Sequence, residues 1–420
     1  MSHTTATPHT SPSHHDVVII GGGAAGIAVS ASLLKRRGDL DIAIIEPATS
    51  HYYQPGWTLV GNGVFSATDT RRDMTAVIPS QATRYTTHAE RIDPHAHEVT
   101  LADGHRLGYT RLVVAPGLVL DWGAIEGLEA TLGQHGVTSN YRYDLAPYTW
   151  EQVQSLKKGR ALFTQPPMPI KCAGAPQKAM YLSCDHWRRQ GHLADIEVSF
   201  CNAAPVLFGV SAFVPALERY ISRYDIDVNY QHRLIAVDGP SKTACFAVTG
   251  EDGEHQQERS FDLLHVVPPQ RAPTFIATSG LADAAGWLEL NPETLQHVHH
   301  PDIFGLGDVS GTSNAKTAAA VRKQAPVVAE NLLASIDDQP LTAAYLGYGA
   351  CPLTVERGRV VLAEFGYNGQ LQPTFPRWVN EATQATRLAW WIKARQLPWL
   401  YWNAMLKGRE WLVKPARRDA

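Results

Sequence analysis

Apolar residues along this chain fall into short blocks of two kinds. Residues 17–20 (VVII) form an unbroken apolar run, the pattern of a strand buried on both faces. A glycine-rich turn follows, then AAGIAVSASLL, in which apolar residues recur at helical spacing, then a second apolar run, IAII, at 42–45. Strand–turn–helix order returns at ALFT (161–164), which precedes the helical KAMYLS, and IEVSF (196–200) adds another strand. TACFAV (243–248) alternates instead, which predicts a strand with one solvated face. Near residue 300, PDIFGLGDV carries a further strand, and AAAVRKQAPVVAENLL (318–333) predicts a long helix. No apolar run approaches the roughly 20 residues that a membrane-spanning helix needs.

The first turn gives these elements a chemical purpose. Gly21, Gly23 and Gly26 stand in GxGxxG spacing, with Ala24 and Ala25 between the last two. That spacing allows a tight turn, a close approach of backbone to a pyrophosphate, and close packing of helix on strand, with the helix N-terminus facing the phosphates. The second strand ends in Glu46, 20 residues beyond Gly26 (46 minus 26), placed to hold a ribose hydroxyl pair. Further on, Ala115, Pro116 and Gly117 in RLVVAPGLVLDW resemble the Ala-Thr-Gly-type turn of flavoproteins with two dinucleotide-binding domains. PDIFGLGDV resembles the second FAD motif of those proteins, with Gly307 in the turn and Asp308 meeting the ribityl chain. Three motifs in that order predict FAD rather than NAD. Lys316 and Thr317 then precede a helix that starts at Ala318, where a positive dipole end and a lysine would favour an anionic reduced flavin.

This order of elements predicts an α/β chain of two Rossmann-like dinucleotide-binding domains, the second degenerate, plus a C-terminal membrane-associating helical segment. The FAD-binding domain is expected to be discontinuous, residues 16–150 with 262–346. Residues 151–261 form the degenerate second domain, residues 347–420 the C-terminal region, and residues 1–15 a disordered tail.

The second domain is degenerate because its phosphate-binding turn is missing. After 161–164 the chain reads QPPMPIKCAGAPQKAMYL, with Pro166, Pro167 and Pro169 removing N–H donors and Gly174 as the single glycine. That disfavours NADH here. Pro176 suits a first helical turn, so Cys172 is expected just ahead of a helix and beside Lys171, both of which stabilise a thiolate. Cys351 lies 179 residues further on (351 minus 172), and its neighbours Gly349 and Pro352 predict an exposed turn. Cys184, Cys201 and Cys245 read as small buried hydrophobes.

Composition narrows the function by exclusion. With 37 basic and 40 acidic residues among 420, the formal charge of -3 gives no pull toward nucleic acid. The five cysteines include no CxxC pair and the 18 histidines no HExxH, so no metal is assigned; His14–His15 and His299–His300 read as solvated loop pairs. No basic residue precedes Lys35, so neither a secretory nor a mitochondrial signal is supported.

Four segments, HYYQPGWTLVGNG (51–63), PIKCAGAPQKAMYLS, GLGDVSGTSNAKTAAAV and YGACPLTVERGRVVLAEFGY, together resemble the sulfide:quinone oxidoreductases, in particular the branch that includes the mitochondrial enzymes. The likeness runs from about Val17 to about Lys407. It implies a redox pair at Cys172 and Cys351, FAD contacts at Glu46, Gln54 and Asp308, and further cofactor-lining positions such as Ala89. It implies oxidation of sulfide through that pair: hydrosulfide leaves a persulfide on Cys351 and a Cys172 thiolate beside the flavin, a small thiol or sulfide accepts the sulfur, and quinone takes the electrons. Phe365 and Phe375 are quinone-site candidates by likeness alone. Two departures stand out. There is no cysteine before Cys172, where other branches use a third, and Val309 replaces the cysteine that often follows the GD of the second FAD motif in the mitochondrial relatives.

The last 34 residues, from Arg387, hold five of the 11 tryptophans and eight basic against two acidic residues. That predicts a pair of interfacial helices divided by Pro398, resting on a membrane surface. A core-packed helix or a dimer contact is the plainer alternative, and a homo-oligomer stays open. The expected location is peripheral, on the cytoplasmic face of a bacterial plasma membrane. Alternative functions are a type II NADH:quinone oxidoreductase and a flavin redox sensor without turnover.

Overall fold

The computed structural model describes residues 13–251 and 253–418. The expected tail lies mostly outside the described residues, but its last part does not behave as a tail. The first strand starts at Ser13 and runs to Ile20, pairing parallel with Leu107–Tyr109 as well as with 111–114. His15 is buried there, its ring nitrogens 3.0 Å from Asp41 Oδ1 and 3.0 Å from the Tyr85 hydroxyl. The reading of His14–His15 as solvated loop residues is thereby corrected in part: ladder pairing puts both in the strand and the Asp41–Tyr85 clamp buries His15, while His14 stays exposed.

Ser13–Ile20 sits inside a seven-stranded sheet between Ile42–Ile45 and Arg106–Val114, with Thr83–Tyr85 on one flank and Ile303–Gly305 also pairing to Arg106–Val114. These pairings are parallel, while Glu98–Leu101 and Ala89–Asp93 extend the sheet antiparallel. Val17 to Ile20 are buried on both faces, which is why the sequence reads as an unbroken apolar run; each such side chain contributes about 1.5–3 kcal/mol over its exposed state. Helices Ala24–Arg36 and Ala318–Ile336 cover one face through Ile27, Val321, Val328 and Leu332.

A second, five-stranded sheet is parallel throughout, in the order Val137–Thr138, Leu263–His265, Gly159–Gln165, Ile196–Asn202, Asp227–Tyr230. The first two strands in that order fall outside 151–261. The chain enters this sheet before residue 150 and leaves it after 262, so the sheets do not divide where the sequence suggested. Helix Ala175–Gln190 packs on it, burying Tyr181, Cys184 and Trp187. The alternating run at 243–248 lies in a separate antiparallel sheet with His232–Asp238 and Gly253–Ser260.

The C-terminal region contributes the antiparallel strands Gly349–Glu356 and Arg359–Phe365, then one continuous helical run. Arg387–Trp391 passes into a π-helical turn, Ile392–Gln396, and on into Leu397–Asn403, with Pro398 in the first turn of the last stretch. Pro398 therefore does not divide two helices; the wider turn just upstream absorbs its missing N–H without a break. Among the described residues no helix is long and apolar enough to cross a membrane.

Candidate active site

Two strand ends of the first sheet frame an open cradle. A side chain at Gly21 would place Cβ 2.4 Å from Ala115 O, and one at Gly26 would place it 1.8 Å from Gly21 O, so both positions need glycine to close the turn. At Gly23, by contrast, Cβ would meet nothing within 4 Å, and the same holds at Gly117. Gly23 caps helix Ala24–Arg36 with no side-chain hydrogen bond and no acidic residue in the first turn, which leaves the helix-end amides for a ligand phosphate. Glu46 accepts from Gly22 N–H (2.8 Å) and Ala48 N–H (2.7 Å), and each oxygen keeps a free lone pair for a ribose diol. Gly307, at positive φ, donates to Gln324 Oε1 (3.0 Å), and burial pushes the Asp308 carboxyl up, countered by the ammonium groups of Lys171 and Lys316. The geometry fits an FAD.

Some predicted cofactor residues have other partners. Lys316 Nζ donates to the carbonyls of Asp308 (2.8 Å) and Ser310 (2.6 Å) and lies 3.9 Å from the centre of the Trp287 ring. Burial lowers it to about 8. Thr317 caps the helix that begins at Ala318 by accepting from Ala320 N–H. Ala89 opens the strand Ala89–Asp93.

The loop that replaces the second cradle carries Cys172 in a left-handed conformation (φ 49). Two contacts hold that conformation, which is uncommon for a non-glycine residue. Cys172 N–H donates to Lys316 O (2.8 Å), tying the loop to the first domain's cofactor helix, and the buried Tyr141 hydroxyl donates to Lys171 O (3.0 Å). Gly174 and Pro176 begin helix Ala175–Gln190 as expected.

Cys351 is brought to the same place. It is fully buried in strand Gly349–Glu356, which corrects its reading as an exposed turn. Gly349–Glu356 is an edge strand of a three-stranded sheet, so Pro352 costs no ladder bond there, and its other face packs on helix Ala175–Gln190. A Cβ on Gly174 would lie 3.7 Å from Cys351 Cβ and 2.2 Å from Leu353 Cδ2, so glycine is what lets the strand approach.

The two thiols are electrostatically unequal. Cys351 lies beside Cys172, and Lys178 Nζ donates to the Cys172 sulfur at 3.0 Å. Those two partners, with Lys393 behind them, hold Cys172 well below the usual thiol range against the effect of burial. Cys351 is pushed well above that range, first by Cys172 and then by burial. Both shifts favour negative charge on Cys172 over Cys351.

Lysine assignment is where the sequence misleads. Lys171, adjacent in the chain, sends its ammonium away from Cys172 to Gln54 Oε1 (2.8 Å) and toward the Trp57 and Tyr141 rings. Lys178, one helical turn into Ala175–Gln190, is the cation at the sulfur, and it was legible as the next lysine on that helix. Lys393 is the other missed residue. It lies inside the π-helical turn, fully buried, donates to Pro55 O (2.8 Å), and is lowered to about 7 by burial and then by Lys178.

The remaining candidates are dispersed. Phe365 packs against Phe208 and Phe213, with ring centres 6.0 and 6.4 Å away, and Phe375 packs on Val360, Leu362 and Ala389. Cys184 and Cys201 are fully buried, and burial pushes Cys201 up to about 12. Cys245 departs from its expected burial: it is half-buried on the antiparallel sheet, its thiol 3.7 Å from Gln256 Oε1. Among the described residues no cluster of three or more His, Cys, Asp or Glu could hold a metal.

Comparison with known proteins follows this geometry. Residues 15–154 match the pyridine nucleotide-disulphide oxidoreductase family. The chain is 37% identical to the mitochondrial sulfide:quinone oxidoreductase of Mus musculus over 95% of its own length and 88% of that protein's. It is 38% identical to the mitochondrial sulfide:quinone oxidoreductase of Dictyostelium discoideum, over 95% and 87%. The crystal structure of the sulfide:quinone oxidoreductase from Aquifex aeolicus superposes with a TM-score of 0.80 at 20% identity, covering 97% of this chain and 98% of that one. The expected bacterial plasma membrane is overturned by the two curated relatives, both eukaryotic and both named as mitochondrial. The fold, the flavin-binding plan and these identities over nearly the whole length lead to one conclusion: the chain is a flavin-dependent oxidoreductase that belongs to the sulfide:quinone oxidoreductase family.

Proposed function

We propose that the protein oxidises sulfide through Cys172 and Cys351 and passes two electrons by way of FAD to a membrane quinone. The observation that carries this reading is the unequal sulfur pair, with Lys178 Nζ 3.0 Å from Cys172 Sγ and Cys351 beside it. In the oxidised state the two cysteines share a sulfur bridge. Hydrosulfide attacks the Cys351 sulfur, the bond to Cys172 breaks, and the products are a Cys351 persulfide and a Cys172 thiolate. Lys178 and the lowered pKa of Cys172 make it the better leaving group. Lys393, lowered to about 7 by burial and then by Lys178, adds a weaker pull toward the Cys172 thiolate in its protonated form. A thiolate acceptor then removes the outer sulfur from Cys351 as its own persulfide, leaving a dithiol whose re-oxidation releases two electrons. Gly21–Gly26, Glu46 and Asp308 would hold FAD, which when bound would supply the two-electron acceptor for that re-oxidation and the donor to quinone.

The cationic, aromatic C-terminal run supports attachment to a bilayer surface, since Trp391, Trp399 and Trp411 are about half exposed and Trp378 and Leu412 more so. Phe375, beside Trp390 in a small cluster against that run, is the better placed quinone contact of the two phenylalanines. NADH is disfavoured as donor because Pro166, Pro167 and Pro169 occupy the turn where a second phosphate cradle would stand.

The test is the position of the sulfur. Protein treated anaerobically with sulfide, alkylated and digested should yield Cys351 peptides carrying one extra sulfur by mass spectrometry. An extra sulfur found on Cys172 and never on Cys351 would reverse the assigned roles.

A further inference from the structure

A cavity of about 640 Å³, lined by neither Cys172 nor Cys351, lies between the C-terminal helical run and the end of helix Ala175–Gln190. One wall is apolar, formed by Phe65, Trp390 and Pro398. The rim is cationic, with Arg189, Arg357 and Arg395 against a single carboxylate, Asp69. Asp69 is already engaged, accepting from Ser66 N–H at 3.0 Å. Arg189 is fixed in place by Asp185 (2.9 Å) and by the carbonyl of Arg357 (2.8 Å). Among the described residues the guanidinium groups of Arg357 and Arg395 have no hydrogen-bond or ion-pair partner, although both face the cavity mouth. Arg357 follows the strand that carries Cys351, six residues on (357 minus 351), which sets its backbone roughly 20 Å along the strand from Cys351.

A cationic rim over an apolar wall suits a ligand that is anionic at one end and hydrocarbon at the other. The cavity is bounded by the same helical run that exposes Leu388, Trp391 and Trp399 on its outer face. We infer that this cavity holds the phosphate headgroup of an anionic membrane lipid, with Arg357 and Arg395 on the phosphate and the first part of an acyl chain against Trp390 and Phe65. The inference rests on the membrane-facing reading of the C-terminal run and is independent of the sulfur chemistry.

Full-length holoprotein is compared with Arg357→Gln/Arg395→Gln and with Lys407→Gln/Lys414→Gln, a control that removes two exposed cations elsewhere in the C-terminal region. The probes are dihexanoyl-phosphatidylglycerol as a soluble lipid, inorganic phosphate, and phosphatidylcholine vesicles with and without phosphatidylglycerol. The wild type and the lysine variant should bind the soluble lipid one to one, and the arginine variant at least about tenfold more weakly. All three should bind pure phosphatidylcholine vesicles alike. Equal weakening in the two double variants would mean diffuse surface attraction and would overturn the site. Inorganic phosphate bound as tightly as the lipid would overturn the lipid assignment in favour of a free phosphate. Binding of the soluble lipid by a wild type that adheres to no vesicle would support the cavity and overturn the membrane-facing reading, so the two fail separately.

Discussion

Replacing Cys172 with serine lowers sulfide-dependent flavin reduction by on the order of a thousandfold or more, while the protein keeps its flavin. Both halves of this result follow from placement. Cys172 is the sulfur that Lys178 and Cys351 converge on, and a hydroxyl in its place can neither form the sulfur bridge nor leave as a stable anion. The dinucleotide cradle is built from other residues, the Gly21–Gly26 turn, Glu46 and the Gly117 turn, none of which the substitution touches. Cys245→Ser is the matched control, since Cys245 sits on a separate antiparallel sheet. Rapid-mixing absorbance of the flavin band under anaerobic conditions reads the effect. Parental reduction rates in Cys172→Ser would remove that residue from the reaction.

Lys178→Gln is the second large effect, and its signature is a shift along the pH axis. Cys351 first, and then the Lys178 ammonium, favour the anionic form of Cys172 against burial and hold its pKa well below the ordinary thiol range. Without that charge the Cys172 value rises. At neutral pH the thiolate fraction then falls, by about tenfold for each unit the value moves, and it recovers once the pH exceeds the new value. The acid limb of the rate profile should thus move to higher pH, with a loss of roughly tenfold or more at neutral pH and near-parental rates in alkali. Lys178→Arg keeps the charge and should keep the profile close to the parent. A purely packing role for Lys178, which is buried, would instead lower the rate equally at every pH.

How much of this was legible depended on whether the determinant was local. The dinucleotide turn, Glu46 at the end of the next strand, and the strand-end Asp308 are each written within a few residues, because hydrogen-bond geometry and glycine sterics act over that range. The absence of a second cradle was legible for the same reason. The meeting of Cys172 and Cys351 was not, since nothing in a 179-residue separation (351 minus 172) encodes contact, and the family likeness alone suggested it. Cys351 looked like a turn residue because glycine and proline flank it. An edge strand tolerates both, and its burial comes from helix Ala175–Gln190, far away in the chain. Lys171 was favoured over Lys178 because chain adjacency was read as spatial adjacency, whereas the left-handed turn at Cys172 separates the two side chains. Lys393 gave no signal at all. In a basic, tryptophan-rich run every lysine reads as lipid-facing, and only the π-helical turn delivers this one to the interior.

The most direct measurement is the visible spectrum of the flavin-loaded protein after anaerobic addition of sulfide without quinone. Loss of the flavin absorption, preceded by a long-wavelength band and restored by adding quinone, is the result expected if sulfur chemistry at Cys172 and Cys351 feeds the flavin. A spectrum unmoved by sulfide but bleached rapidly by NADH would contradict it and make the protein an NADH:quinone reductase built on the same fold.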